Sequence, residues 1–316
     1  QTVGAFMRIA IFGGTGFVGF NLIEFLSEKN IKINALVRNG SEHKILHNVN
    51  ITNISGDIKT ESAIKETIKG CDYVIYNIGI LEESPKTGST FKEMQYQGLV
   101  DVIGHCQKEE IKKFILMSAN GIDKNVTDYQ RTKLAAENYL MQSGFNYTIF
   151  RPSVIFGDPK GRMEFATQLL KEMIIPPIPA VNFFSNLDPN LNTVMMSPVH
   201  VNDVIEAIYT ALNSDITNDK TYNLGGPNEL SWIEIIKTIM TVTKKEKLVI
   251  PMPIIIMKIV TQLFSWIPFL PVTYDQIIML EQGNTASPSD LEELIKRNLR
   301  PFDINNLSYL TKRENT

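Results

Sequence analysis

The fold of this protein is decided near the start of the chain by the stretch RIAIFGGTGFVG, residues 8–19. Its first part, Arg8–Phe12, is typical of a buried β-strand, and the segment from Phe17 to Lys29 is typical of a helix. Between them, glycines let the backbone turn sharply and approach a ligand closely, and the helix N-terminus offers N–H groups to phosphates. The stretch therefore predicts a dinucleotide-binding strand–loop–helix unit. The predicted contacts are Gly13, Thr15, Gly16, Phe17, Val18 and Gly19.

Strand and helix patterns continue to alternate beyond this unit. Further strands are predicted at 32–37, 51–54, 72–77, 113–118 and 147–151, with helices at 91–108 and 129–142. This alternation is typical of an α/β protein with a doubly wound parallel sheet, the Rossmann fold. We expect a Rossmann core over 7–157, completed by about 198–226, and a smaller, mainly helical C-terminal lobe from 158–197 and 227–316. Residues 1–6 are interpreted as a remnant of cloning or processing.

Composition narrows the classes of function. The 316 residues are 43% hydrophobic with a net charge of −3, and no run of Lys or Arg exceeds two, which excludes a nucleic-acid partner. No apolar run reaches the ~18–20 residues of a membrane span, and no secretory signal is visible. The expected location is the cytoplasm, or the periphery of an inner membrane (its matrix side if mitochondrial). Cys71 and Cys106 are expected to be free thiols, and no metal site is predicted.

The residues after the second predicted strand indicate which dinucleotide is bound. NAD-specific sites usually place a carboxylate there, to bind the ribose 2′-hydroxyl. This chain has Arg38-Asn39 and no acid, and an arginine suits a 2′-phosphate. NADP(H) is therefore favoured over NAD(H). Further contacts are predicted after strands three and four, at Asp57, Ile58, Asn77, Ile78 and Gly79.

A tyrosine and a lysine four residues apart, Tyr129 and Lys133, predict a catalytic pair on one face of a helix. An ammonium near the phenol is expected to lower the tyrosine pKa, so that the phenol can exchange a proton with a substrate oxygen during hydride transfer. The lysine is also expected to hold the nicotinamide ribose. Ser118, at the end of the preceding strand, is placed to hydrogen-bond the same substrate oxygen.

Together these motifs resemble the short-chain dehydrogenase/reductase superfamily, in its extended branch of NAD-dependent epimerase/dehydratase proteins. The stretch RPSVIFG, residues 151–157, matches that branch's RPxxxxG motif, and the segments at 198–204 and 222–226 are also similar. The resemblance implies cofactor contacts from Arg151, Pro152, Ser153 and Val154. It is strongest to the atypical group that contains the nucleotide-binding accessory subunit of respiratory complex I and its bacterial relatives. One departure is Gln95, which stands where sugar-active members usually carry Asn.

Two functions follow from these residues. The favoured one is an NADPH-dependent oxidoreductase or epimerase-type enzyme in which Tyr129 and Lys133 move protons. The alternative is a non-catalytic NADPH-binding module that supports assembly of a quinone-linked respiratory membrane complex. An apolar, quinone-like or isoprenoid-like substrate is expected to be lined by 158–197, including Phe183 and Phe184.

A strongly apolar helix is predicted from Ile254 to Ile267, with its few polar residues on one narrow stripe. Such a helix is buried in the C-terminal lobe, covers the substrate mouth, or lies against a membrane or a partner. We therefore expect a contact with a membrane or a respiratory complex through 254–270 as one of three placements.

Overall fold

The structure, a computed structural model, describes residues 7–185, 194–263 and 273–311. Predictions that concern 1–6, Phe264, Trp266 and the rest of 264–270 lie outside the described residues. The strands are β1 Arg8–Phe12, β2 Lys32–Val37, β3 Ile51–Ser55, β4 Tyr73–Tyr76, β5 Lys113–Met117, β6 Tyr147–Pro152, β7 Ile155–Phe156, β8 Ala180–Phe184, β9 Met195–Met196, β10 Val199–His200, β11 Lys220–Leu224, β12 Leu230–Ser231 and β13 Val249–Pro253.

The α-helices are α1 Phe17–Glu28, α2 Glu61–Ile68, α3 Gly98–Cys106, α4 Asp128–Met141, α5 Phe165–Leu169, α6 Val201–Leu212, α7 Trp232–Thr243, α8 Ile254–Leu263, α9 Tyr274–Glu281 and α10 Ser289–Ile295. Two segments, Lys92–Gln97 and Leu170–Ile174, are π-helical. The first of these was predicted as part of one continuous α-helix over 91–108. Because π-helical turns are rare and often occur at functional sites, Lys92–Gln97 is a candidate part of the functional site.

The chain divides into two compact units, Gln1–Arg151 with Ile205–Tyr222, and Pro152–Val204 with Asn223–Thr316. In the described residues, the sheet associated with the first unit has seven strands in the order β11-β6-β5-β4-β1-β2-β3. The neighbours from β6 to β3 pair in parallel, with Ile9 opposite both Ile33 and Tyr73. This confirms the predicted doubly wound parallel sheet. The strand order reverses between β1 and β4, which is where such sheets bind ligands.

The core of the first unit explains why these segments form a parallel sheet. Residues 9–12 of β1 and all of β5 are buried, as expected of strands covered on both faces. The rings of Phe12 and Tyr76 stack at 6.1 Å, and the Tyr76 hydroxyl donates a 2.6 Å hydrogen bond to the carbonyl of Met94. That bond holds the π-helical segment beside the end of β4.

The second unit, predicted to be mainly helical, also contains paired strands. β8 and β13 pair in parallel, with Ala180 opposite Val249. Phe183 and Phe184, predicted to line a substrate, are buried instead: Phe183 packs 5.6 Å from Trp232, whose indole N–H donates to the carbonyl of Val181. The prediction for these two rings is wrong, because Phe183 belongs to the hydrophobic core of this unit and Phe184 is buried as well.

A buried carboxylate supports the same unit. Asp203 is fully buried, and it accepts hydrogen bonds from the Arg297 guanidinium at 2.6 Å and from the Arg300 backbone N–H at 2.8 Å. The Arg300 guanidinium also contacts it. Asp203 therefore joins the start of α6 to the C-terminal segment, which is a structural role.

Candidate dinucleotide site

Two glycines of the loop between β1 and α1 are required by the packing of the chain itself. Gly13 has a φ of 94°, and a Cβ there would lie 2.7 Å from the backbone of Asn77. A Cβ on Gly19 would lie 2.1 Å from the Gly13 carbonyl oxygen. Backbone atoms at these two positions cannot move aside for a Cβ in the way that the end of a flexible side chain could. The loop is therefore held tightly against the segment that follows β4.

Gly16 differs, because its side of the loop is open. It is exposed, and a Cβ there would meet only the Gly13 carbonyl oxygen, at an ordinary 3.7 Å. Gly16 is also the N-cap of α1, with no side-chain capping bond and no acid in the first turn. The N–H groups at Phe17 and Val18 thus begin the helix next to open space, with the partial positive charge of the helix terminus. This cradle fits a pyrophosphate.

The ends of β2 and β3 carry the residues predicted for the adenosine half. Arg38 follows β2 directly and is exposed. Beside it, the Ser55 hydroxyl donates a 2.7 Å hydrogen bond to the side-chain oxygen of Asn39. Asp57 is half-buried, and its carboxylate accepts from the Lys59 backbone N–H at 3.0 Å. The side chain of Ile58, in contrast, lies in the hydrophobic core, so only its backbone is available to a ligand.

The segment Asn77–Gly79 brings the glycine loop and α4 together. The Asn77 amide lies 3.5 Å from the Gly13 carbonyl oxygen, while Ile78 packs on the core. Gly79 is exposed, and a Cβ there would lie 3.4 Å from the Lys133 Nζ. The sheet edge therefore places the predicted catalytic lysine beside the end of β4, although the two positions are far apart in sequence.

Lys133 is buried, with 5% of its surface exposed, and it lies on α4. This helix begins at a capping box in which Thr127 and Gln130 satisfy each other's backbone N–H groups. The Lys133 Nζ donates a 3.0 Å hydrogen bond to the Met117 carbonyl oxygen, at the end of β5. Burial lowers the pKa of Lys133 to about 8, while the charge of Glu137 opposes this shift.

Tyr129 stands one helical turn before Lys133, as predicted, but its pKa moves in the opposite direction from our expectation. Burial raises the pKa of Tyr129 to about 12. The ring packs edge-on against Phe91, with centroids 5.6 Å apart. The expected lowering by the lysine is therefore wrong for this structure, and the phenol is protonated at neutral pH. In that form it is a proton donor.

Ser118 follows β5 and is buried, with 5% of its surface exposed. Its hydroxyl has no hydrogen-bond partner among the described residues. A buried polar atom without a partner costs free energy unless something else satisfies it. This is the arrangement expected of a hydroxyl that binds a ligand.

Arg151 is engaged in a way that the sequence did not indicate. Its guanidinium binds the carboxylate of Glu137 through Nε, at 2.9 and 3.2 Å, and through Nη2, at 2.5 Å. Glu137 is fully buried. The side chain of Arg151 is thus occupied by an ion pair, and a contact from this residue to the cofactor stays a prediction. The sequence did contain one indication of this contact: Glu137 stands four residues after Lys133, which places its carboxylate on the same face of α4.

Gln95 is a second residue whose contacts were missed. It is buried in the π-helical segment, where its amide N–H donates to the Ile80 carbonyl at 3.0 Å. Its amide oxygen accepts from the Thr132 hydroxyl at 2.9 Å. Gln95 therefore ties the segment after β4 to α4, between the positions of Tyr129 and Lys133.

The remaining predicted contacts lie in the second unit. Pro152 ends β6, and the Ser153 backbone N–H donates to the Leu224 carbonyl at 3.0 Å. The Ser153 hydroxyl donates to the Asn284 carbonyl at 2.7 Å, and Val154 packs on the core of that unit. A role of Pro152, Ser153 and Val154 in cofactor binding stays a prediction.

Comparison with known proteins shows to which family this chain belongs. A model of NAD(P)H-binding proteins matches residues 13–173, which is about half of the chain. This chain belongs to the NAD(P)H-binding family. It therefore binds a nicotinamide dinucleotide, and the open cradle at Gly16 and the buried donors at Lys133 and Ser118 fit that cofactor.

Two relatives and one solved structure illustrate its similarity. The photosystem II assembly factor Ycf39 of Trieres chinensis is 24% identical over 299 residues, covering 92% of this chain and 88% of that protein. The mitochondrial NADH-ubiquinone oxidoreductase 40 kDa subunit of Neurospora crassa is 23% identical over 304 residues, covering 95% and 77%. The structure of UDP-glucuronic acid 4-epimerase from Bacillus cereus with NAD has a TM-score of 0.73 at 16% identity, covering 97% and 99%. The predicted resemblance to extended short-chain dehydrogenases and complex I subunits is confirmed.

One surface feature of the second unit bears on partners. In α8, the large aliphatic side chains of Ile255, Ile256, Ile259 and Leu263 are exposed. Of its polar side chains, Thr261 is buried and Lys258 forms an ion pair with Glu281, whereas Gln262 is exposed beside the aliphatic side chains. Burial of the whole helix, one of the three predicted placements, is therefore wrong for the described part of α8. None of the helices within the described ranges combines the length and apolar character needed to cross a membrane.

Proposed function

We propose that this protein is an NADPH-dependent oxidoreductase that reduces a carbonyl-type oxygen in an apolar substrate. The observation that carries the proposal is the lysine site: Lys133 is buried beside Gly79 with a single backbone acceptor among the described residues, one helical turn from Tyr129. Burial of an ammonium is costly, and groups whose pKa is strongly shifted by burial are concentrated at functional sites. Ribose hydroxyls beside Gly79 would accept its remaining N–H groups.

Tyr129, Ser118 and Lys133 each have a separate role in the proposed reaction. When bound, the dinucleotide supplies the hydride. Tyr129 is protonated at neutral pH, since burial raises its pKa further above that range, to about 12, and it donates its proton to the substrate oxygen. The unpartnered hydroxyl of Ser118 donates a hydrogen bond that orients the same oxygen. Lys133 holds the ribose and, when charged, stabilises the phenolate that proton donation leaves behind.

Turnover is tested by following NADPH oxidation with short-chain quinones and isoprenoid ketones as substrates. Tyr129→Phe is expected to abolish turnover while leaving the affinity for NADPH nearly unchanged, because only the proton donor is lost. The matched control is Tyr139→Phe, on the same helix at a partly buried position packed on the core. Turnover that survives Tyr129→Phe contradicts the proposal.

Preference for NADPH over NADH is the second part of this proposal, and it depends on Arg38. An exposed guanidinium directly after β2, with no acid beside it, suits the ribose 2′-phosphate. Arg38→Ala is expected to weaken NADPH binding by about 1–3 kcal/mol and to leave NADH binding nearly unchanged. Lys108→Ala, which removes an exposed charge beyond α3, is the control. Equal affinity of the parent protein for NADH and NADPH contradicts this part.

A second candidate function is favoured by α8. The exposed aliphatic side chains of Ile255, Ile256, Ile259 and Leu263 cover an arc of about 100° on one face of the helix. This supports a non-catalytic role in which bound NADPH stabilises the fold and α8 attaches the protein peripherally to a membrane that carries a quinone-linked complex. The similarity to a subunit of NADH-ubiquinone oxidoreductase agrees with such a location.

Liposome flotation tests this candidate. Because Lys258 is paired with Glu281, the face carries no free charge from that residue, and attachment should depend little on salt. Ile255→Glu/Ile259→Glu is expected to release the protein, whereas Lys237→Glu, on α7, is the charge-changing control. A parent protein that never floats contradicts peripheral attachment.

A further inference from the structure

A buried ion pair lies directly behind the lysine site. The carboxylate of Glu137 is fully buried and receives the Arg151 guanidinium through two nitrogens, Nε and Nη2. The pair connects α4 to the end of β6. In water-exposed pairs such a contact is worth little, but removing one partner of a buried pair leaves an uncompensated charge in a low-dielectric interior.

Glu137 also shares a face of α4 with Lys133, because the two residues are four positions apart. The carboxylate of Glu137 is therefore the negative charge shared by two cations, Lys133 on the same helix and Arg151 at the end of β6. Burial lowers the pKa of Lys133 to about 8, and Glu137 is the charge that raises it. Without that carboxylate, two cations would share the same buried region.

We propose that Glu137 is a positioning residue for the dinucleotide site: clamped by Arg151, its carboxylate keeps the buried Lys133 ammonium charged and directed at the end of β4. The inference rests on the proposed use of Lys133 as a ribose anchor. Arg151 then acts through Glu137, because its own positive charge offsets part of the carboxylate's effect on the lysine. The pair thus sets the pH range over which Lys133 binds its ligand.

Among the described residues, the charge that acts on Lys133 is Glu137, on the same helix. Tyr129 lies one turn away on that face of α4, and Arg151, on β6, contacts Glu137. Asp123, in the turn before α4, acts on Arg151. From β4 and β5, the neighbours of the Lys133 Nζ are the backbone atoms of Gly79 and Met117, which do not titrate.

The experiment is a fluorescence titration with NADPH from about pH 6 to about pH 10, a range that spans the lysine pKa. In the parent protein, affinity should fall as pH rises through about 8, because the neutral amine is a weaker donor. Glu137→Gln should move this midpoint down by about 1 pH unit or more, since the lysine then faces Arg151 without compensation. Arg151→Gln should move it up, since Glu137 then acts on the lysine alone.

Two further variants complete the test. Lys133→Ala should remove the pH dependence, which assigns the midpoint to this lysine. Glu137→Gln/Arg151→Gln should return the midpoint toward that of the parent, because anion and cation are removed together. Thermal unfolding of each variant shows that it is folded, and if Glu137→Gln does not fold, the upward shift in Arg151→Gln carries the test.

A merely structural pair would weaken NADPH binding equally at every pH in both single variants. That result, or a midpoint that shifts in the same direction in both, overturns the proposal. Failure of the proposed function is a different result: the parent protein would then bind NADPH but oxidise it with none of the quinones and ketones tested.

Discussion

Replacing Lys133 with methionine should stabilise the fold in the absence of cofactor. Lys133 has only 5% of its surface exposed, and burial lowers the pKa of its ammonium from 10.5 to about 8. At about 1.4 kcal/mol for each pKa unit, the charged form costs the folded protein about 3 kcal/mol. Methionine has a similar length and no charge, so it removes this cost.

The gain is reduced by the loss of the hydrogen bond from Lys133 to the Met117 carbonyl. Such a bond contributes about 1 kcal/mol. The net expectation is an increase of about 2 kcal/mol in the free energy of unfolding at pH 7 for Lys133→Met. Residues that serve binding often cost stability in this way.

The sign of the pH dependence provides an independent check. Because the pKa of Lys133 is lower in the folded state than in the unfolded chain, the unfolded chain binds more protons between about pH 8 and about pH 10.5. The cost of burial is fully present below about pH 8 and fades as pH rises through this window. The advantage of Lys133→Met over the parent protein should therefore shrink toward alkaline pH.

Urea unfolding of both proteins at several pH values measures this difference. Lys112→Met is the matched control, because Lys112 is exposed and paired with Asp72, so its replacement should change little. The reasoning is refuted if Lys133→Met is less stable than the parent protein at pH 7. It is equally refuted if the difference between the two is constant with pH.

Three other predictions concern single residues. Gly19→Ala should prevent folding of the first unit, since the new Cβ would lie 2.1 Å from a backbone oxygen. Gly16→Ala should fold normally, as a thermal shift assay will show, but should bind NADPH more weakly in a titration. Asp203→Ala should lower the free energy of unfolding by about 3 kcal/mol, because two arginines lose their buried anion; an unchanged urea midpoint would contradict this. NADPH oxidation by the parent protein should decline above about pH 8 as Lys133 loses its proton, with no second decline from Tyr129 until about pH 12.

Much of the first unit was predictable from sequence because its signals are local. The strand at Arg8–Phe12 matches its prediction at both ends, and the helix from Phe17 differs by one residue at its end. Glycines at 13, 16 and 19 indicated a dinucleotide loop, since only a tight turn before a helix uses them together. The spacing of Tyr129 and Lys133 showed that they share a helix face.

The environment of each side chain, however, was decided by tertiary structure. Periodicity shows which residues share a face, but it does not show what packs against that face. The pKa of Tyr129 is raised rather than lowered because burial dominates, and Arg151 binds Glu137 because β6 ends beside α4. Phe183 and Phe184 became core residues because β8 pairs with β13, which lies far along the chain.

The α8 segment shows the same division most directly. Its sequence predicted an apolar helix with Lys258, Thr261, Gln262 and Ser265 on one narrow stripe; of these, Thr261 is buried, Lys258 is paired and Gln262 is exposed. Which side faces the protein depended on partners outside the helix: Glu281 on α9 draws Lys258 inward, and the aliphatic side chains are left on the surface. A local pattern determines a helix face, but only the rest of the fold determines which way that face points, because burial depends on contacts made by distant parts of the chain.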